Sequence, residues 1–218
     1  MSKLISASIL SADFSRLGQE IRSVQEAGVD WIHLDVMDGC FAPNLSLGLP
    51  VIHSIRSVTK LTFDTHLMIL DPPRYILQFR KAGADIITVH AEACTHMNKC
   101  IELIVSCGAK VGISLNPQTP LEKVADILPQ LDLLLIMGVE PGFGGQNFDP
   151  NVVPKIREAR RMIDERGLKA LIEVDGGING RTAKEVSEAG ADVFVAGSYI
   201  FNHPKGVKAA VSELRKRI

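Results

Sequence analysis

Glu26-Ala27-Gly28-Val29-Asp30-Trp31-Ile32-His33-Leu34-Asp35-Val36 reads as a helix end, a turn and a strand. Gly28 supplies the left-handed cap that stops a helix, and the small Ala27 before it lets that helix pack closely. The same punctuation returns at Lys81-Ala82-Gly83-Ala84-Asp85 and at Glu188-Ala189-Gly190-Ala191-Asp192. Working outward, short apolar runs read as strands at Ile5–Ile9, Trp31–Val36, Leu61–Leu67, Ile86–His90, Lys110–Leu115, Leu133–Met137, Ala170–Asp175 and Val193–Gly197. Helical patterns alternate with them, for example over Phe14–Glu26, Pro73–Lys81, Val153–Arg166 and Ala183–Glu188. Strands separated by helices pair in parallel, and about eight of them close into a barrel filled by its own side chains. The expected fold is therefore α/β, a (β/α)8 TIM barrel, with residues 1–218 forming one domain. An open doubly wound sheet would ask for a GxGxxG turn after the first strand; Ser8-Ile9-Leu10-Ser11-Ala12-Asp13 stands there instead.

Bulk properties fit one such barrel. The 218 residues are 46% apolar and 22% charged, with 24 Lys and Arg against 25 Asp and Glu, a net charge of -1. That balance offers no electrostatic footprint for nucleic acid or for an anionic membrane surface. Arg215-Lys216-Arg217 is a short basic cluster that reads as a solvated helix end. No apolar run reaches the roughly 18 residues of a membrane span. Met1-Ser2-Lys3-Leu4 leads straight into an apolar strand without the regions of a signal peptide. A cytoplasmic location is expected. None of Cys40, Cys94, Cys100 and Cys107 forms a CxxC pair, so free thiols are expected. Cys100 and Cys107 read as small hydrophobes on one helix face.

Barrel chemistry gathers where strands end at their C-termini. Polar residues at those ends are Ser8, His33, Asp35, Asp64, His66, His90 and Asp175. His33 and Asp35 are two apart, so both side chains leave the same side of a strand, while Ile32, Leu34 and Val36 face the other way. A lone inward histidine is commonly a hydrogen-bonded core residue. Two imidazoles (His33, His66) and two carboxylates (Asp35, Asp175) converging from three strands read as a ligand set. Without a cation the two carboxylates would repel in a low-dielectric space, and one would have to keep a proton. Four N and O donors suit zinc, and also manganese, iron(II) or cobalt. Asp64 and Glu173 point inward but deeper, as partners of the ligands or structural charges. Glycine-rich turns follow three successive strands: Gly142-Phe143-Gly144-Gly145-Gln146, Gly176-Gly177 and Gly197-Ser198. They let backbone N–H groups approach a phosphate closely, and a short helix starting near Ser198 would add its positive end. No GxSxG elbow and no strand-end lysine suited to a Schiff base competes.

Several stretches resemble ribulose-phosphate 3-epimerases: Ser6-Ala7-Ser8-Ile9-Leu10-Ser11-Ala12-Asp13, His33-Leu34-Asp35-Val36-Met37-Asp38-Gly39 with Pro43-Asn44, Asp64-Thr65-His66-Leu67-Met68, Val139-Glu140-Pro141-Gly142-Phe143-Gly144-Gly145-Gln146 and Glu173-Val174-Asp175-Gly176-Gly177-Ile178. The likeness spans nearly the whole chain, in the family's order. It implies a barrel of the ribulose-phosphate-binding type, with one divalent metal per subunit, zinc foremost, on His33, Asp35, His66 and Asp175. It implies that Asp35 and Asp175 are the acid–base pair that inverts C3 of D-ribulose 5-phosphate to give D-xylulose 5-phosphate, through a metal-stabilised cis-enediolate in the pentose phosphate pathway. Ser8 and His66 would touch the sugar, and Met37, Met68 and Met137 would form an apolar wall. Gly142, Phe143, Gly144, Gly145, Gly176, Gly177, Gly197 and Ser198 would hold the phosphate end. The implied partners are a small sugar phosphate and further copies of the chain, as a dimer or hexamer. Two positions depart from the pattern: Cys40 stands where histidine is frequent, and Gly138 where serine or threonine is.

Rival readings are an epimerase of a related hexulose 6-phosphate, a decarboxylase of similar architecture, and a non-catalytic phosphate-binding barrel. The decarboxylase needs an Asp-x-Lys-x-x-Asp run, and Met37 occupies its lysine position. A non-catalytic barrel has little reason to set two carboxylates facing each other across a pocket.

Overall fold

The computed structural model describes residues 3–218. Met1 and Ser2, the start of the stretch read above for a leader, lie outside the described residues. Eight parallel strands form a closed barrel in sequence order: β1 (Leu4–Ser8), β2 (Trp31–Met37), β3 (Thr62–Met68), β4 (Ile86–His90), β5 (Lys110–Leu115), β6 (Leu133–Met137), β7 (Leu171–Asp175) and β8 (Val193–Ala196). The ring closes where β1 pairs with β8, from Leu4 opposite Val193 to Ala7 opposite Ala196. Around it lie α1 (Leu17–Ala27), α2 (Leu49–Arg56), α3 (Ile76–Ala82), α4 (Met97–Ser106), α5 (Val153–Glu165), α6 (Thr182–Ala189), α7 (Ser198–Phe201) and α8 (Val207–Arg215). Two 3-10 turns, Leu121–Val124 and Leu128–Gln130, stand between β5 and β6 where other crossovers carry a full helix. Among the described residues no helix is long and apolar enough to cross a membrane.

Each αβ turn marked by Ala-Gly ends in a left-handed glycine: Gly28, Gly83 and Gly190 have φ of 92°, 122° and 112°. Gly28 N–H then reaches the carbonyl of Gln25 at 3.0 Å, which satisfies an acceptor at the helix end. Some boundaries differ from the sequence reading. Ile9 belongs to a 3-10 turn, Ile9–Ser11, rather than to β1, although it is fully buried. A buried apolar residue in a turn extends an apolar run as a strand residue does, so periodicity does not separate them. Phe14–Arg16 is likewise a 3-10 turn, started by Asp13 accepting from the Ser15 N–H, and α1 begins at Leu17. Pro72–Arg74 forms another, and α3 begins at Ile76. Gly197 lies just past β8. Cys107 falls beyond α4, and Cys100 faces Cys94 instead, Sγ to Sγ at 2.9 Å; all four cysteines are free.

Alternation along each strand builds two cores. Outward residues such as Ile32, Leu34, Phe63, Leu67 and Phe194 are buried under the helices. Inward residues stack in layers. Trp31, Ile86, Leu133 and Val193 make an apolar plug at the N-terminal end of the barrel, with Leu4 and Leu171 packed against it. Above the plug the interior is polar, with Ser6, His33, Asp64, Thr88 and Glu173 fully buried. The plug closes one end to water, so this polar layer opens only toward the C-terminal mouth.

Candidate active site

The β2–β3 register sets Asp35 beside His66 and His33 beside Asp64. His33 is held from below, its Nδ1 2.6 Å from Asp64 Oδ2. His66 is held from the side, its Nε2 2.7 Å from His90 Nε2. Each imidazole thus spends one nitrogen on a partner and aims the other at the same two carboxylate oxygens. His33 Nε2 lies 3.3 Å from Asp35 Oδ1 and 3.8 Å from Asp175 Oδ2. His66 Nδ1 lies 3.5 Å and 3.8 Å from those same atoms. Both aimed nitrogens are buried and have no hydrogen-bond partner. Metal–ligand bonds of about 2.0–2.2 Å in a tetrahedron leave neighbouring donors roughly 3.3–3.6 Å apart. The four measured separations fall at or near that edge length, and one donor atom from each residue lies within 4.8 Å of all the others. Orphaned nitrogens, donor chemistry and spacing all fit a divalent cation.

Electrostatics separate the two carboxylates. Burial raises the Asp35 pKa, but the neighbouring His33 and His66 outweigh it and hold this carboxyl well below the usual range. Burial, reinforced by the charge of Asp35, pushes Asp175 up to about 7. Paired carboxylates whose environments drive them apart suit opposite acid–base roles. Burial disfavours charge on His33, yet Asp64 and Asp35 outweigh it and raise its pKa. Burial brings His66 down to about 4. Deeper in the barrel, burial and then the charge of Asp64 raise Glu173. Asp64 itself is lowered because His33 outweighs its burial. Ser8 Oγ donates to Asp35 Oδ2 at 2.5 Å, which adds support to the ionised form. Ser46 accepts from the Met37 N–H at 3.0 Å and donates to the Asp35 carbonyl, tying the β2–α2 loop back onto its strand.

A cleft opens above this cluster. Ser8, Asp35 and Asp175 lie at its floor, and Met37, Met68 and Met137 line its wall. Gly142, Gly144 and Gly145 line it from the loop after β6, with Gly176 and Gly177 beside them. Gly197 and Ser198 complete that side, where α7 begins. Phe143 sits at the rim, 58% exposed. His33 and His66 are fully buried and do not line the cleft. Two contacts were not legible in the sequence. Asn44 Nδ2 donates to the Gly142 carbonyl at 2.8 Å and joins the loops after β2 and β6 across the mouth. Glu92, beyond the end of β4, faces His90 Nδ1 at 3.2 Å. An alternating His-x-Glu was its only signal, and strand parity does not extend past the strand. Of the two departures, Cys40 is exposed and donates its N–H to Asp38. A Cβ on Gly138 would lie 2.7 Å from the Gly176 carbonyl and 2.7 Å from the Phe148 ring, so this backbone has closed around glycine.

The model of the ribulose-phosphate 3 epimerase family matches residues 4–201. A protein of Synechocystis named ribulose-phosphate 3-epimerase is 54% identical over 213 residues, covering 96% of this chain and 93% of the relative. One of Bacillus subtilis with the same name is 52% identical, covering 97% of each chain. One of Escherichia coli is 44% identical, covering 99% of this chain and 96% of its own. Among solved structures, 3-hexulose-6-phosphate synthase from Salmonella typhimurium superposes with a TM-score of 0.73 at 20% identity, over 98% of this chain and 97% of that one. Orotidine 5'-phosphate decarboxylase from Pyrococcus horikoshii does so at 0.71 and 18% identity, over 99% of each. At those identities the structures share the barrel alone. The family match over most of the chain, with full-length relatives at about half identity, places this protein in the ribulose-phosphate 3-epimerase family.

Proposed function

We propose that the protein interconverts D-ribulose 5-phosphate and D-xylulose 5-phosphate by inverting C3, with Asp35 and Asp175 as the acid–base pair. The observation that carries this reading is the cluster itself: four donors aimed at one point, two of them carboxylates with opposite pKa shifts. Inversion needs a proton taken from one face of the carbon and one delivered to the other. A single base tends to return the proton to the face it left. Asp35, held ionised, suits removal; Asp175, which keeps its proton up to about 7, suits delivery, and the roles exchange in the reverse direction.

His33, Asp35, His66 and Asp175 would hold one divalent cation per subunit, zinc by the tetrahedral N and O set, with iron(II), manganese and cobalt as related choices. When bound, the cation supplies Lewis-acid stabilisation of the negative charge that develops on the sugar oxygens, a contribution of several kcal/mol. Ser8 holds Asp35 and touches the sugar, while His66 acts from beneath the floor. Met37, Met68 and Met137 exclude water from the reacting carbons, which strengthens every charge interaction there. The phosphate is held by backbone N–H groups of Gly142–Gly145, Gly176-Gly177 and Gly197-Ser198, with Phe143 at the rim. In support, no Lys or Arg side chain lines the cleft among the described residues, which leaves neutral donors, main-chain N–H groups and hydroxyls such as that of Ser198, to grip an anion. The site is proposed to work in a cytoplasmic homo-oligomer, dimer or hexamer. Incubation with ribulose 5-phosphate in heavy water, with metal content measured on the same sample, tests the proposal. Xylulose 5-phosphate carrying deuterium at C3 is expected, and a folded, metal-loaded protein giving neither product nor exchange would refute it.

A further inference from the structure

A chain of polar groups leads away from the site through the buried His66 and His90 to the partly buried Glu92. The His66 and His90 rings lie within 26° of parallel, with centroids 4.9 Å apart and their Nε2 atoms 2.7 Å apart, so they meet end to end. His90 Nδ1 lies 3.2 Å from Glu92 Oε2. The other Glu92 oxygen, Oε1, accepts the Asn116 backbone N–H at 2.8 Å and the Thr119 hydroxyl. Phe41, from the loop after β2, packs on His90 with ring centroids 4.6 Å apart.

A short contact between two imidazole nitrogens holds one proton. If a neutral His90 carried it on Nε2, its Nδ1 would turn a bare lone pair toward the Glu92 carboxylate. Two acceptors facing each other in a water-poor place repel. Burial opposes ionisation of Glu92, but His90, Thr119 and the Asn116 N–H outweigh it and bring its pKa to about 2, so the carboxylate is charged. If His66 Nε2 carries the proton instead, every group is matched. His66 donates to His90, His90 Nδ1–H donates to Glu92, and His66 Nδ1 keeps a lone pair aimed between Asp35 and Asp175. We propose that Glu92, acting through His90, is a positioning residue that locks His66 in its Nε2–H form and so keeps Nδ1 free to ligate the cation. This rests on the reading of His66 as a ligand. His33 is set by Asp64 directly; His66 is set by a carboxylate one imidazole further out. Outer partners of this kind change metal affinity by about 10- to 100-fold when removed.

Glu92→Gln is the informative variant, because shape is kept and polarity is not. Its amide oxygen must still accept from the fixed Asn116 N–H. Its NH2 therefore turns to His90 Nδ1, pushes the His90 proton to Nε2, and drives the His66 proton onto the nitrogen that the cation needs. The experiment combines long-range proton–nitrogen spectra of histidine-labelled protein, with and without zinc, and zinc affinity by competition with a chromophoric chelator. In wild type, His90 is expected to carry its proton on Nδ1 and zinc-loaded His66 on Nε2. In Glu92→Gln, zinc binding is expected to weaken by about 10- to 100-fold, with the His90 proton on Nε2. Zinc held by wild-type His66 through Nε2, or unchanged zinc affinity in a folded Glu92→Gln protein, overturns the relay and leaves the epimerase reading standing. A folded wild-type protein that takes up no zinc at His33, Asp35, His66 and Asp175 removes the ligand reading and the relay with it. The wild-type spectrum decides the matter even if the variant fails to fold.

Discussion

Asp175→Asn tests the two-sided mechanism most directly. Asparagine keeps the size and planarity of the side chain, so its oxygen can stay near the 3.8 Å separations from His33 Nε2 and His66 Nδ1. What it cannot do is exchange a proton near neutral pH. A positioned acid or base contributes about 10²- to 10⁴-fold, or roughly 3–5 kcal/mol of barrier at 1.36 kcal/mol per decade. Epimerisation is therefore expected to fall by at least about 100-fold with metal content held equal. The residual chemistry is more telling than the loss. Asp35 remains, so one epimer should still exchange its C3 hydrogen with heavy water, without inversion, while the other should not. Asp35→Asn should show the opposite preference. The assay is deuterium incorporation at C3 from each epimer separately, beside the rate of epimer conversion. Wild-type turnover by Asp175→Asn, or equal exchange of both epimers in either variant, would refute the assignment of one carboxylate to each face.

Removing the metal by chelation is expected to abolish turnover, and full activity in a sample verified as metal-free by elemental analysis would exclude the cation from the chemistry. Zinc affinity should rise with pH, because the cation must displace both the proton that Asp175 keeps below about 7 and the proton that His33 holds with its raised pKa; calorimetry at a series of pH values should show about tenfold weaker binding per pH unit on the acid side for each proton displaced. Ser8→Ala deletes the 2.5 Å hydrogen bond to Asp35; a hydrogen bond to a charged group contributes about 1.5–3 kcal/mol, so turnover should slow by roughly 10- to 150-fold, and unchanged kcat would show that Asp35 does not depend on it. Gly177→Ala places a methyl 2.3 Å from the Phe148 nitrogen at a φ of 69°; a strain of about 1–3 kcal/mol should lower Tm and raise KM for the sugar phosphate, both readable by thermal melts and steady-state kinetics.

Local chemistry made much of the architecture readable. Gly28, Gly83 and Gly190 mark helix ends because a left-handed cap needs no Cβ, and that requirement is written into the residue itself. Inward placement of His33 and Asp35 followed from the two-residue period of a strand, which holds whatever surrounds it. Element boundaries were less legible. Ile9 is as apolar as any strand residue, and only the pairing partner of β1 shows that the strand has ended. Phe14–Arg16 fits a helical pattern, but Asp13 tightens that first turn.

The tertiary structure alone decided how the site is wired. Nothing near Asn44 says that it will bond Gly142, 98 residues away, because loop partners across the mouth are set by barrel closure. Glu92 carries no more signal than any surface carboxylate until β4 and β5 bring it against His90 and Asn116. The sequence supplied the donors, since residue type and strand parity are local properties. Which nitrogen of each histidine is left free for the proposed cation depends on contacts with Asp64 and His90, and those exist only once the barrel has closed.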